Sequence, residues 1–410
     1  MTTTSNPSRR SFLGAVGALS TATLLPDSLA LARSSGLAGL APAHDFTFAP
    51  GLCYLQTASL GPTPRPVLER TVGAWKSLEL NPVFYGYGRD EKAMDGVRAR
   101  AATFLGCKTE EIVLTNCTTE GMNWVASGLG LAAGDHVLTT DQEHPGGRVC
   151  WDYVVRKYGV VLDVVAVPPG ENDAQAIVDR FAKAITPRTR AFSFSHLLSS
   201  TGLRMPVAEL SALARAHGCI AVVDGAQAVG GIAVDVKKLG CHVYATSGHK
   251  WLLAPKGTGL LYLSEEIGAT VDPISLQGGR AAYSESSGVC NIPGVLGLGA
   301  AIDYVSAIGI GKIETHNVAL RNRTFEMLEG VPKLQVVSPP PGPLASPLVS
   351  YRLPDAVESR DLMTRLLDRH KVVVKMVPKN WFNGNRISTH LFNSERDVDR
   401  LVAALRAELA

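Results

Sequence analysis

Six short apolar runs rich in β-branched residues, each bounded by polar turns, recur along this chain: Ile112–Thr115, His136–Thr139, Leu162–Val167, Ala191–Ser195, Ile220–Val223 and Gly259–Leu263. Helical stretches such as Asp173–Ile185 and Val207–His217 lie between them. This alternation specifies an α/β fold in which helices cover a mostly parallel sheet, with ligands bound outside the carboxyl ends of the strands. The stiff stretch Ser338–Pro343 breaks the pattern. After it, Leu348–Arg352, a helix over Ser359–Arg369, Val372–Lys375, Ile387–His390 and a closing helix from Ser394 make a small C-terminal α/β unit. At 410 residues the chain is longer than one hydrophobic core supports, so two domains are expected.

The chemistry-bearing residues fall where such a sheet would put them. Asp224 directly follows the run Ile220–Val223, and Lys250 sits in Ser247-Gly248-His249-Lys250-Trp251. An amine that can form a Schiff base and a carboxylate that can keep a pyridine nitrogen protonated are the minimum equipment for pyridoxal 5'-phosphate (PLP) chemistry. To move a substrate α-proton, Lys250 needs an amine whose pKa is depressed by burial or by neighbouring positive charge. Asn116–Asn123, between a strand and a helix, offers free backbone N–H groups and threonine hydroxyls to a phosphate dianion.

Other chemistries are excluded by what is missing. Glu143-His144 and Cys241-His242 lack the partner spacing of a zinc site, so no metal is expected. The net charge is only +3 and no basic stripe interleaves with aromatics, which argues against nucleic acid.

The N-terminus carries an address. Ser8-Arg9-Arg10-Ser11-Phe12-Leu13 precedes an apolar stretch from Gly14 to about Leu25, and Ala30-Leu31-Ala32 has a small-x-small pattern. Residues 1–32 therefore read as a twin-arginine export signal, too short in its apolar part for a stable membrane anchor. The expectation is a periplasmic enzyme that crosses the twin-arginine translocase already folded, with residues 33–53 as a linking arm. Folding in a reducing compartment also favours mostly free, buried thiols for the seven cysteines, whose spacing shows no pairs.

The segment Cys241–Lys250, followed by Gly257-Thr258-Gly259, resembles the cofactor-attachment pattern of class V aminotransferases, which are fold type I PLP enzymes with the aspartate aminotransferase-like architecture. The resemblance runs from about Tyr54 to the C-terminus. It implies a PLP-binding large domain over 54–300, a small domain over 301–410, and a homodimer with active sites near its interface. Residue by residue, it implies that Thr118 and Thr119 bind the phosphate, with Ser247 and His249 closing the cup. It further implies that His144 stacks on the pyridine ring, Gln227 and Ser199 approach the phenolic oxygen, and Arg386 grips the substrate α-carboxylate. Tyr54–Pro62 would border the substrate, and Phe84–Tyr87 would supply aromatic walls.

Two departures qualify this. Gly288-Val289 stands where many relatives have a Gly-Thr pair that reaches the neighbouring subunit's cofactor. No cysteine follows Cys290, which disfavours desulfuration through a mobile C-terminal thiolate. Ser-Gly-His-Lys-Trp, Glu143-His144-Pro145 and Ser195-His196 are most similar to the isopenicillin N epimerase-like branch. The expectation is an exported PLP enzyme acting at the α-carbon of an amino-bearing small molecule or peptide by aminotransferase-type chemistry, in maturation of a secreted metabolite such as a siderophore. Epimerisation of an amino-acid moiety is the alternative. A C–S lyase and a non-catalytic binding protein on the same fold rank below it.

Overall fold

The structure, a computed structural model, describes residues 37–410, so the export signal assigned to residues 1–32 lies outside the described residues. In chain order the strands are β1 (Cys53–Tyr54), β2 (Ile112–Thr115), β3 (His136–Thr140), β4 (Val161–Val165), β5 (Thr189–Ser195), β6 (Ile220–Asp224), β7 (Val243–Ser247), β8 (Gly259–Leu263), β9 (Gln335–Val336), β10 (Leu348–Arg352), β11 (Val372–Val373), β12 (Lys375–Val377) and β13 (Gly384–Ser388). Strands β2 to β8 form one sheet in the order β2-β8-β7-β6-β5-β3-β4. The ladders β7-β6-β5-β3-β4 are parallel, and β8 runs antiparallel to both its neighbours. This is the mostly parallel α/β sheet of fold type I.

The central strands are covered on both faces, which is why they read as continuous apolar runs rather than as alternation. Val222, Val223, Val243, Tyr244 and Ala245 are all fully buried. Each buried valine contributes about 1.5–3 kcal/mol relative to an exposed one. Strand β7 escapes a search for apolar runs because it ends in Thr246 and Ser247. Those hydroxyls are satisfied locally, Thr246 Oγ1 donating to the Gly225 carbonyl at 3.2 Å, so the strand is as buried as its neighbours.

Helices start where side chains cap them. Asp173 accepts from the Ala176 N–H at 3.1 Å to begin Ala174–Ala184, and Ser394 forms a capping box with Asp397 at the head of Glu395–Leu409.

The second sheet is antiparallel, in the order β12-β13-β10-β9, with helices Ser359–His370 and Glu395–Leu409 packed near it. Two of its strands differ from expectation. The run expected at Ile387–His390 is β13, Gly384–Ser388, because Asn385 and Arg386 are buried polar residues inside the strand. Asn385 is made tolerable there by its amide, which donates to the Ser359 carbonyl at 3.1 Å. The run Val372–Lys375 is split. Val372–Val373 pairs in parallel with β1, whereas Lys375 opens β12 against β13. Through β1, Cys53 and Leu55 join Phe325, Leu366 and Leu405 in one apolar cluster. All seven cysteines carry free thiols, of which Cys53, Cys150, Cys219 and Cys241 are buried.

Candidate active site

Strands β6 and β7 deliver the two reactive groups. β6 ends in Asp224, while β7 ends in Ser247 and turns through Gly248 and His249 to Lys250. The turn is held from outside by the N-terminal segment, where the Gly61 N–H donates to the His249 carbonyl at 2.8 Å. Only glycine fits there, because a Cβ on Gly61 would lie 2.0 Å from the Lys250 carbonyl oxygen.

Lys250 opens into a cleft of about 310 Å³ that it shares with Ser59, His144, Ser199, Gln227 and Arg386. Burial, helped by the positive charge of Arg386, lowers its pKa to about 8, although Asp224 pulls the other way. A useful fraction of the amine is therefore neutral near physiological pH. Asp224 is buried close enough to Lys250 for the two charges to act on each other. Its Oδ1 accepts from the Ala226 N–H at 2.9 Å, and burial raises its pKa while Lys250 opposes the rise. The first turn of helix Pro145–Tyr158 presses on this carboxylate: a Cβ on Gly147 would sit 2.5 Å from Asp224 Oδ2.

His144 caps that same helix. Its Nδ1 accepts from the Gly146 N–H at 3.0 Å, which assigns the ring proton to Nε2. Burial and the positive charges of Lys250, Arg386 and Lys375 lower its pKa to about 4, so the ring is neutral. Its accessible surface faces the cleft.

Thr118 begins helix Thr118–Gly128 and is tied to the end of β7. Its N–H donates to Ser247 Oγ at 3.0 Å, and the two hydroxyls lie 2.8 Å apart. Thr119 abuts the His144 loop, its Oγ1 being 2.6 Å from where a Gly146 Cβ would stand. Helix N-terminus, hydroxyls and loop are thus contiguous. His249 lies outside the cleft lining with its Nδ1 buried and unpartnered, and burial together with Lys250 and Lys256 lowers its pKa to about 4.

Gln227 is locked between the Trp251 indole N–H, which it accepts at 2.9 Å, and the Ala58 carbonyl, to which it donates at 3.0 Å. One amide proton remains for the cleft. Ser199 Oγ is buried without a partner, and the Ser199 carbonyl accepts from Arg386 Nη1 at 2.7 Å. Arg386 also donates to Ser59 Oγ at 3.3 Å, while its Nε is orphaned. Burial alone lowers its pKa to about 10, and it has no carboxylate partner among the described residues.

Orphaned buried polar atoms cost about 1–3 kcal/mol each, so Ser199 Oγ and Arg386 Nε, both on residues of the cleft lining, mark a cleft shaped for a polar ligand. PLP fits the donor set. Thr118, Thr119 and Ser247 suit its phosphate, Asp224 its ring nitrogen, and His144 the ring face. Gln227 and Ser199 suit its phenolic oxygen, and Lys250 its aldehyde.

Not every expected neighbour arrives. Ala58 and Ser59, from Tyr54–Pro62, line the cleft, but the aromatic run Phe84–Tyr87 does not. Residues Pro82–Phe84 and Tyr85–Arg89 form a short α-turn and a π-helical turn, and Val83, Gly86 and Tyr87 line a separate apolar cavity with Val289 and Cys290. Other neighbours were not anticipated. Lys375, Met376, Val377, Pro378 and Trp381 complete the cleft wall. Glu143 is buried beside Asp224, accepting from Ser195 Oγ and from Thr140 Oγ1 at 2.6 Å each. Burial, with Asp224 adding, pushes its pKa up to about 7. Only its place immediately before His144 pointed to it.

Comparison with known proteins agrees with this geometry. The family described as Aminotransferase class-V matches residues 53–401. An isopenicillin N epimerase of Amycolatopsis lactamdurans is 33% identical over 380 residues, covering 87% of this chain and 95% of that one. A cysteine desulfurase of Salmonella agona is 30% identical over 396 residues, covering 86% and 92%. Among solved structures, the apo cysteine desulfurase of Thermococcus onnurineus superposes with a TM-score of 0.77 at 28% identity, covering 87% of this chain and 94% of that one. A variant of C-DES with glycine covalently linked to its PLP cofactor superposes with a TM-score of 0.80 at 23% identity, covering 89% and 99%, which speaks to the fold.

Proposed function

Because this chain belongs to the class V aminotransferase family of PLP-dependent enzymes, we propose that it moves the α-proton of an amino acid or an amino-bearing peptide, with transamination as the leading outcome. The observation that carries this is the Lys250 amine, lowered to about 8, in a cleft where Arg386 has no counter-ion among the described residues. PLP, when bound, supplies an electron sink that makes a substrate α-proton acidic. Lys250 Nζ then takes and returns that proton, a task for which a pKa near the working pH is best. Arg386, aimed by Ser199 and Ser59, holds the substrate carboxylate with its planar fork and fixes which face meets Lys250. Asp224, whose carboxylate attracts the Lys250 amine, would pair with the ring nitrogen of PLP, and neutral His144 covers one face without adding a competing cation.

Epimerisation is the second reading, favoured by the similarity to isopenicillin N epimerases over most of their length. Persulfide-forming desulfuration is not favoured. The last cysteine, Cys290, contacts Met94 with sulfurs 3.4 Å apart and does not line the Lys250 cleft.

The deciding experiment follows the visible absorption of the PLP-loaded protein as amino donors are added without a keto acid. Conversion of the lysine-bound cofactor to its amine form supports transamination. Persistent absorption with α-proton exchange from heavy water and loss of optical purity supports epimerisation. If added PLP never develops lysine-bound absorption, the role given to Lys250 is wrong.

Export through the twin-arginine pathway and action on a secreted metabolite are proposed from Ser8–Leu13 and Ala30–Ala32 alone. Replacing Arg9 and Arg10 by lysine should retain the protein inside the cell. A homodimer is proposed from surface apolarity. Leu80, Val83 and Ile274 are 78%, 70% and 84% exposed, and Val83 shares a cavity with exposed Val289. A monomeric mass by light scattering would count against it.

A further inference from the structure

Two cations lie opposite one another across the small sheet. In the β12–β13 ladder Lys375 is the register partner of Arg386, so the two side chains share a face, and both line the cleft beside Lys250. Like charges directly opposed across strands destabilise the pair. Nothing among the described residues relieves them, since neither has a carboxylate within ion-pair distance. Lys379, four residues on, shows the ordinary arrangement, pairing with Glu358 at 2.5 Å.

The two cations are not equivalent. Arg386 is buried and already oriented by Ser199 and Ser59, so one carboxylate satisfies its free edge. Lys375 is exposed, and it lines the cleft together with the apolar side chains of Met376, Val377, Pro378 and Trp381. A substrate with a single carboxylate would leave the Lys375 charge unmatched.

We propose that Lys375 is a specificity residue for a second anionic group, so that the substrates are amino compounds carrying two carboxylates. Arg386 holds the carboxylate next to the reacting carbon, Lys375 holds the distal one, and the chain between them lies on Met376–Pro378 and Trp381. This rests on the reading of the cleft as a PLP site.

The test is titration calorimetry on the PLP-loaded enzyme with glutarate and adipate against pentanoate and hexanoate, with the visible absorption recorded on the same samples. Wild-type protein should bind the dicarboxylates about tenfold or more tightly than the monocarboxylates. Lys375→Met should erase that preference while leaving monocarboxylate affinity and absorption unchanged, and Lys375→Arg should keep it. Equal binding of both series by the wild type overturns the inference. So does an equal loss of both in Lys375→Met, which would mean that Lys375 shares one carboxylate with Arg386. Lysine-bound absorption without a dicarboxylate preference defeats this inference alone. A preference without that absorption sustains the two-anion wall and defeats the PLP reading.

Discussion

The floor of the cleft, built on the ends of β6 and β7, differs from its wall, built on β12 and β13, in how polar groups are matched. Around the ends of β6 and β7, Thr118 and Ser247 bond each other, Asp224 accepts the Ala226 N–H, Gln227 is held at both ends, and the amine and carboxylate of Lys250 and Asp224 attract. On the wall Arg386 and Lys375 repel, with no acid within ion-pair distance among the described residues. A surface that receives a tightly kept group can be organised in advance around it. One that receives a group that comes and goes keeps its charge unspent, so that the incoming carboxylate supplies the match.

Removing the floor's amine is the largest test of this contrast. Lys250→Ala should lower turnover by about a thousandfold or more and abolish lysine-bound absorption, with the far-ultraviolet circular dichroism unchanged. If turnover survives, the floor is not where the chemistry happens. The same residue has a stability signature in the cofactor-free protein. Its amine titrates at 10.5 when unfolded and at about 8 in the fold. Between those values the unfolded chain binds more protons, so Lys250 makes stability rise with pH; below about 8 the penalty of burying the charge is fully present. Lys250→Met should therefore be more stable than the parent at about pH 7, with the advantage shrinking by about pH 10, as read by denaturant midpoints.

Gly147 tests how tightly the floor is packed. An alanine Cβ there would meet Asp224 Oδ2 at 2.5 Å, so Gly147→Ala should cost about 1–3 kcal/mol and weaken retention of PLP. Gly73, inside helix Arg65–Leu78 with nothing within 4 Å of its Cβ position, is the control. Gly73→Ala should be neutral or stabilise by up to about 1 kcal/mol. Equal behaviour of the two variants would show that the Gly147 contact relaxes freely and that the floor is less rigid than its hydrogen bonds imply.

The same contrast explains what the sequence made legible. Asp224 and the Ser247–Lys250 turn stand at the ends of strands, where the parallel fold itself directs attention. Arg386 could be placed only by family resemblance, since its strand is disguised by buried Asn385 and begins three residues earlier than the apolar pattern suggests. Lys375 was invisible, because a lysine after Val372-Val373-Val374 reads as the solvent side of a strand. Its meaning depends on register with Arg386, a long-range pairing that no local window contains. The role of Glu143 is hidden from local sequence for a similar reason: its partners, Thr140 and Ser195, end two different strands. The aromatic run Phe84–Tyr87 lies apart from the Lys250 cleft because it follows the helix Arg65–Leu78 into a short α-turn and a π-helical turn, where Tyr87 lines a separate apolar cavity.

The wall offers the gentlest test. Arg386→Lys keeps the positive charge but loses the fork that reaches Ser199, Ser59 and a carboxylate at once. An ammonium has three donors around one nitrogen and cannot make two parallel bonds to a carboxylate. If the wall holds substrate and the floor performs chemistry, the variant should raise KM by about tenfold while kcat and the visible absorption stay close to the parent's. A fall in kcat at unchanged KM would mean that Arg386 acts only once the α-proton is in flight. In that event its lowering effect on Lys250 is the part that matters, because the same guanidinium that binds the carboxylate also helps hold that amine near a pKa of 8.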